Sequence, residues 1–153
     1  MRFAATLIAV TDMERSKRFY GEVLGLEVKA DFGANVTLEG GLALQTAETW
    51  REFIRGRDPV FRHNSGELYF ETRDLEGFLG RLEQWDVELV HPPTDHSWGQ
   101  RVVRFYDPDG HMIEVGEELG LVVERFAARG LDAAAIARRM DVPLDFVEQT
   151  LAR

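Results

Sequence analysis

Residues 41–48, GLALQTAE, align with residues 110–117, GHMIEVGE, without a gap. An earlier pair of segments supports the same duplication. When Asp12 is placed on Asp74, an apolar strand pattern precedes each aspartate and apolar residues at helical spacing follow it. Aspartate is favoured at the first capping position of a helix. The sequence therefore predicts two β-α-β-β-β repeats.

Each predicted repeat has one helix and four strands, and turn residues separate the last two strands. The predicted strands are 3–10, 26–30, 35–39 and 42–46, then 67–72, 87–90, 102–106 and 111–115; the predicted helices are 13–24, 50–54 and 75–82. We therefore expect an α+β fold in which the repeats form a curved mixed sheet around a pocket. The expected domain is 1–117, with repeats at about 1–48 and 66–117, and a C-terminal helical extension occupies 118–153.

Composition excludes several classes of function. The 153 residues contain no cysteine, which excludes disulfides, thiolate metal sites and cysteine nucleophiles. The chain carries 18 basic and 27 acidic residues, a net charge of −9, and phosphate backbones repel such a surface. No apolar run approaches the roughly 18 residues of a membrane span. We expect a cytoplasmic protein with neither nucleic acid nor membrane as a partner.

Period-2 alternation along the strands places polar side chains on the sheet face away from the helices. These residues are Gln45, Glu67, Tyr69, Glu71, Arg104 and Glu114. One interpretation is a solvent-facing surface, which antiparallel sheets commonly have. The other is a concave polar pocket formed by the two repeats. The pattern alone leaves both open.

Motifs at both ends of the repeat region resemble those of a known family. V-x-D at 10–12, with Ser16 and FY at 19–20, resembles the opening of the vicinal oxygen chelate superfamily. DPDGH at 107–111, followed by Ile-Glu at 113–114, resembles its closing signature. The resemblance covers about residues 1–117. The superfamily includes glyoxalase I, extradiol dioxygenases and bleomycin-binding resistance proteins.

The resemblance implies one divalent metal held at four positions, which correspond here to Ala5, Gln45, Glu67 and Glu114. Alanine cannot coordinate a metal. The remaining oxygen ligands suit Mg²⁺, Mn²⁺ or Ca²⁺ better than metals that favour imidazole. Dioxygenase activity, which in this superfamily needs two histidines and a glutamate, is therefore disfavoured.

The resemblance implies binding of a small molecule, and metal-assisted lyase or isomerase chemistry if the protein is an enzyme. Glu67 and Glu114 would then be catalytic groups or metal ligands, with Gln45 as a further ligand. Tyr69, Trp98, Arg104 and His96 would bind the substrate. Other readings of these residues stay open, since Trp98 suits packing under a loop and Arg104 suits neutralising a glutamate. The rival functions are a metal-free sequestering protein of the resistance type and a ligand-sensing module.

The tail, residues 118–153, is predicted to be helical. Residues 131–147 have the spacing of a helix-turn-helix, but residues 144–151 contain no basic side chain with which to contact DNA. We instead expect the apolar stripe of the tail to pack on its own domain or on a second subunit. The expected assembly is a homodimer.

Overall fold

The computed structural model describes all 153 residues and contains the two predicted β-α-β-β-β units followed by three helices. The first unit contains β1 (Thr6–Val10), α1 (Met13–Glu22), β2 (Val28–Asp31), β3 (Asn35–Leu38) and β4 (Leu42–Thr46). After α2 (Ala47–Phe53), the second contains β5 (Glu67–Thr72), α3 (Leu75–Leu82), β6 (Leu89–Asp95), β7 (Arg101–Tyr106) and β8 (Met112–Glu117). The tail contains α4 (Leu119–Ala128), α5 (Ala133–Met140) and α6 (Leu144–Leu151). The predicted α+β class is confirmed.

Each unit forms its own four-stranded mixed sheet. The strand orders are β1-β4-β3-β2 and β5-β8-β7-β6, so the first and last strands of each unit lie side by side. These central pairs are parallel, and the other pairs are antiparallel. The duplication is therefore visible in the topology as well as in the sequence.

Some predicted boundaries were wrong. β6 runs from Leu89 to Asp95 rather than from 87 to 90, because it continues through Pro92 and Pro93 at the edge of its sheet. Proline is tolerated on an edge strand since its missing N–H has no partner to lose there. The helix predicted at 50–54 is α2, which begins directly after β4 at Ala47.

The helices pack on the apolar faces of the sheets. Asp12 and Asp74 cap α1 and α3 by accepting hydrogen bonds from the third residue beyond each, as predicted from the sequence. Phe19 of α1 packs edge-on against Phe105 of β7, so one continuous core spans both units. Leu68 and Phe70 pack against this core, which confirms the strand parity predicted for β5.

Polar contacts join the units at the β7–β8 turn, residues 107–111. Tyr20 Oη donates a hydrogen bond of 2.7 Å to buried Asp107. Asp109, two residues later, accepts a 3.2 Å hydrogen bond from the Thr11 N–H and forms an ion pair of 3.3 Å with Arg15. The predicted turn is thus also a contact between the repeats.

The strand registers of the two units differ by two residues. Ala9 and Glu71 correspond when the helix caps are superposed, and they pair with Gln45 and Gly116. Gln45 is therefore equivalent in the fold to Gly116, although the gapless sequence match places it on Glu114. The turn between β7 and β8 has five residues and the one between β3 and β4 has three, residues 39–41, so the length difference equals this shift.

The tail helices form a second apolar cluster. Its buried members are Val122, Val123, Phe126, Ile136, Ala137, Met140 and Val147, and Trp98 packs against it from the β6–β7 loop. Arg125 joins the tail to the domain through two hydrogen bonds to Glu117, of 2.7 and 2.9 Å, and one to the Gly99 carbonyl. No helix of the protein combines the length and hydrophobicity that a membrane span requires.

Candidate functional site

Arg104 lies between two glutamates on the face of the second sheet opposite α3. Its Nε donates a 2.9 Å hydrogen bond to Glu67, and its Nη2 forms an ion pair with Glu114. Glu114 is buried, with 5% of the residue exposed, whereas Glu67 is exposed. One guanidinium thus bridges a carboxylate within the sheet and a carboxylate at its surface.

Strand register explains why these side chains meet. Arg104 on β7 and Tyr69 on β5 both stand directly opposite Glu114 on the central strand β8. Side chains at paired positions lie on the same face of a sheet. The structure therefore brings together Glu67, Tyr69, Arg104 and Glu114, as the alternation of residues predicts.

A chain of hydrogen bonds continues from this cluster. The Tyr69 hydroxyl donates to Glu71 at 2.8 Å and accepts from Gln100 Nε2 at 2.8 Å. Gln100 is buried, and its Oε1 accepts a 3.1 Å hydrogen bond from the Trp98 indole. Burial raises the pKa of Tyr69, so this phenol stays protonated at neutral pH. The alternation along β7 predicts that Gln100 shares the face of Arg104, and its position beside His96 and Trp98 is consistent with a pocket rim.

Trp98 and His96 stack on each other, with ring centroids 4.1 Å apart and planes 18° apart. Trp98 also packs against the apolar cluster of the tail. Part of its side chain therefore has a packing role, which is the alternative to substrate binding that the sequence left open. Burial, followed by the charges of Arg104 and His91, lowers the pKa of His96. His96 is therefore a neutral imidazole at pH 7.

His91 is a residue of this cluster that we had not predicted. Its Nε2 lies 3.3 Å from Arg104 Nη1. His91 stands opposite Arg104 on the edge strand β6. No partner for His91 can be read from the sequence, because the register shifts along β6 decide which of its residues face Arg104.

Gln45 lies in the first sheet, apart from the two glutamates. Its Oε1 accepts a 2.8 Å hydrogen bond from Asn35, and its Nε2 donates to Thr49 of α2. Gln45 is buried, and both ends of its amide are satisfied by these neighbours. None of its hydrogen bonds reaches the second sheet.

The donor set does not suit a divalent metal. No group of three or more histidine, aspartate or glutamate side chains is arranged to hold one. Arg104, a cation, occupies the space between Glu67 and Glu114, and Gln45 lies in the other sheet. A metal at the two glutamates would have to displace Arg104.

A cavity of about 190 Å³ adjoins the cluster where the two units meet. Its lining includes Thr6 of β1 in the first unit and Glu67, His111 and Met112 in the second, together with His63. His111 is also tied to β1, since its Nε2 lies 2.7 Å from the Ala9 carbonyl oxygen. Glu67 thus borders both the Arg104 cluster and this cavity.

Most of the chain, including both β-α-β-β-β units, is similar to a known protein family. The model of the Glyoxalase-like domain family matches residues 3–120. The chain belongs to the glyoxalase-like family. It is therefore a member of the vicinal oxygen chelate superfamily, as its motifs indicate. Members of this superfamily bind small-molecule substrates, often form dimers and often hold a divalent metal ion.

Individual relatives agree with this assignment. The chain is 29% identical over 123 residues to the glutathione transferase FosA of Serratia marcescens, covering 79% of this chain and 82% of that protein. It is 25% identical over 125 residues to YraH of Bacillus subtilis, covering 75% and 97%. A protein of unknown function from Agrobacterium tumefaciens is 42% identical, with a TM-score of 0.70 over 77% of this chain and 94% of that one. A glyoxalase-related enzyme from Fulvimarina pelagi has 25% identity and a TM-score of 0.67, covering 77% and 88%.

Proposed function

We propose that this protein binds a small, positively charged aromatic molecule on the face of the second sheet, as a sequestering protein of the resistance type that needs no metal. The proposal rests on the ion pairs that Arg104 forms with both Glu67 and Glu114. With Glu71, the face holds three carboxylates and one guanidinium, a formal charge of −2. That excess attracts a cation without a bound metal.

Aromatic groups supply the second half of the recognition. Tyr69 is 48% exposed beside the carboxylates, and the stacked His96–Trp98 pair lies in the adjoining loop. Aromatic faces attract cations and planar rings. The neutral imidazole of His96 adds no opposing charge.

Calorimetric titration with benzamidine, an aromatic cation, tests this function against benzoate, an anion of similar size. We expect saturable binding of benzamidine and none of benzoate. Glu67→Gln should weaken binding about fivefold, which is what losing about 1 kcal/mol of a partly exposed charge interaction gives. Glu148→Gln, on the exposed face of α6, is the control and should change nothing. Equal binding of benzoate, an equal effect of the control or no binding of benzamidine would refute the proposal.

A second candidate is metal-assisted lyase or isomerase chemistry with Glu67 and Glu114 as ligands or acid–base groups. One observation favours it: the carboxylates of Glu67 and Glu114 lie close enough to share a single cation, a position that Arg104 now occupies. If a metal displaces Arg104, the Arg104→Gln variant should bind Mn²⁺ more tightly than the wild type. Adding Glu114→Gln to that variant should abolish binding. Absence of heat and of Mn²⁺ occupancy in Arg104→Gln would eliminate this candidate.

We also propose that the protein is a cytoplasmic homodimer in which the tail contacts the second subunit. The half-exposed Leu144 and Leu151 of α6 support a contact there. A chain truncated after Glu118 should have the solution mass of a monomer. An unchanged number of subunits after truncation would contradict a role of the tail in dimerisation.

A further inference from the structure

A cavity of about 370 Å³ lies where the tail meets the β6–β7 edge of the second sheet. The charged residues that line it are Asp95, Arg101, Glu117, Arg125, Arg129 and Arg139. Four arginines and two acidic residues give the lining a formal charge of +2, in a chain whose net charge is −9. This cavity adjoins the Arg104 cluster at His96, which lines the cavity and stacks on Trp98, but Arg104 itself does not line it.

Two of the four arginines are already paired. Arg125 forms two hydrogen bonds to Glu117, and Arg101 forms an ion pair with Glu76. Burial disfavours the Glu117 carboxylate, but hydrogen bonds from Arg125 and the Arg101 N–H outweigh it and lower the pKa of Glu117. The charge of Arg125 is thus offset by Glu117 within the cavity, and that of Arg101 is offset by Glu76 outside it.

The other two arginines have no acidic partner. Neither Arg129 nor Arg139 is within salt-bridge distance of a carboxylate, and neither guanidinium makes a hydrogen bond to the protein. The Arg139 guanidinium lies 5.3 Å from the centroid of the Phe126 ring, which holds it over the cavity wall. The unpaired charges of the cavity are therefore the two positive ones of Arg129 and Arg139 and the negative one of Asp95, which forms no ion pair.

A purely structural role accounts for only part of this arrangement. Arg129 caps the C-terminus of α4 and Arg139 lies in the last turn of α5, where a cation is favoured by the helix dipole. Arg138 occupies the same last turn of α5 but does not line the cavity. Stabilising the helix end needs one cation near that end and does not require two arginines to converge on one space.

We propose that this cavity binds the phosphate group of a small phosphate monoester. Two guanidiniums supply two positive charges and paired N–H donors to phosphate oxygens, and Asp95 offsets one of those charges. The Phe126 ring and the His96 side chain form less polar walls beside them, which suit an organic substituent on the phosphate. Part of the lining, Arg125, Phe126, Arg129 and Arg139, lies beyond residues 3–120 that the family model matches, so the site depends on this chain's C-terminal extension.

Titration of the full chain with phenyl phosphate and with inorganic phosphate, at constant ionic strength, tests the site. We expect saturable binding of both probes, with phenyl phosphate the tighter. Arg129→Gln and Arg139→Gln should each weaken binding of phenyl phosphate at least fivefold. Arg138→Gln removes the same charge from the same helix end and should leave the affinity within twofold.

Unfolding temperatures without ligand show whether the variants are intact. All three exposed substitutions should melt within a few degrees of the wild type, so a loss of affinity reports on the site. Absence of saturable binding to the wild type overturns the proposal. An equal loss in Arg138→Gln also overturns it, since the effect would then be one of general surface charge.

Discussion

Tyr20 of the first unit donates a 2.7 Å hydrogen bond to Asp107 of the second, 87 residues away, and both residues are buried. Removing the hydroxyl in Tyr20→Phe leaves a buried carboxylate short of one donor. A buried group left unsatisfied costs about 1–3 kcal/mol. We expect the free energy of unfolding to fall by that amount in urea titrations. Tyr106→Phe, which removes a 2.6 Å hydrogen bond to Asn64 at an exposed position, is the matched control and should cost less.

The same carboxylate makes stability depend on pH. Burial raises the pKa of Asp107, against the opposing effects of His111 and three hydrogen bonds. The folded state therefore holds a proton over a range in which the unfolded chain, with a pKa of about 3.9, has lost it. The contribution of Asp107 to stability is present below that range and is lost as pH rises through the raised pKa.

Asp107→Asn isolates this contribution, because asparagine keeps an oxygen that can accept the Asp109 and His111 N–H groups. The wild-type free energy of unfolding minus that of the variant should decrease as pH rises from about 4. Chemical unfolding measured between pH 3.5 and 7 gives this difference. A difference that increases over that range would mean that Asp107 is stabilised as the ion in the folded state.

Arg104 and Glu114 form a mostly buried ion pair. We expect substitutions of its two residues to lower the free energy of unfolding by different amounts. Arg104→Gln leaves the Glu114 carboxylate without its counter-ion, and breaking a buried pair from one side costs about 3 kcal/mol. Glu114→Gln should cost less, about 1 kcal/mol, because Arg104 keeps its hydrogen bond to Glu67. The double variant should recover most of the loss. A double-mutant cycle measures the coupling, and additive losses would show that the pair is not coupled.

Gly99 sets how closely the tail approaches the domain. Its φ is +93°, and a Cβ there would come within 2.5 Å of the Phe126 ring. We expect Gly99→Ala to destabilise the protein by about 2 kcal/mol and to speed proteolysis of the tail. Gly130→Ala is the control, since its φ of +87° imposes a similar strain but a Cβ would meet nothing within 4 Å. Equal losses would assign the effect to backbone strain alone.

Much of the fold could be predicted because its signals are local. The caps Asp12 and Asp74 and the alternation along β5 depend on neighbours within a few residues. β6 was less predictable, because its extension through two prolines depends on pairing with β7 in the folded sheet. Local patterns therefore predicted the order of the elements better than their ends.

The sequence predicted which residues of the candidate site share a sheet face, but not which of their side chains contact each other. Parity placed Glu67, Arg104 and Glu114 on one face, and the structure brings them together. A shift of two residues along a strand leaves a side chain on the same face. The alternation therefore could not reveal that Gln45 corresponds in strand register to Gly116 rather than to Glu114. The contact of His91 with Arg104 could not be predicted either, because the register shifts along β6 interrupt the alternation of its side chains between the two sheet faces.

The hairpin turns at 39–41 and 107–111 differ in length, and the contacts between the two repeats are correspondingly asymmetric. Asp107 and Asp109, which lie in the longer turn, make the polar contacts to α1 of the other unit. The short turn at 39–41 makes no hydrogen bond to the second unit in return. The two repeats therefore differ in two ways: the longer turn of the second repeat holds the first, and the cluster of Glu67, Arg104 and Glu114 lies on the sheet of the second repeat.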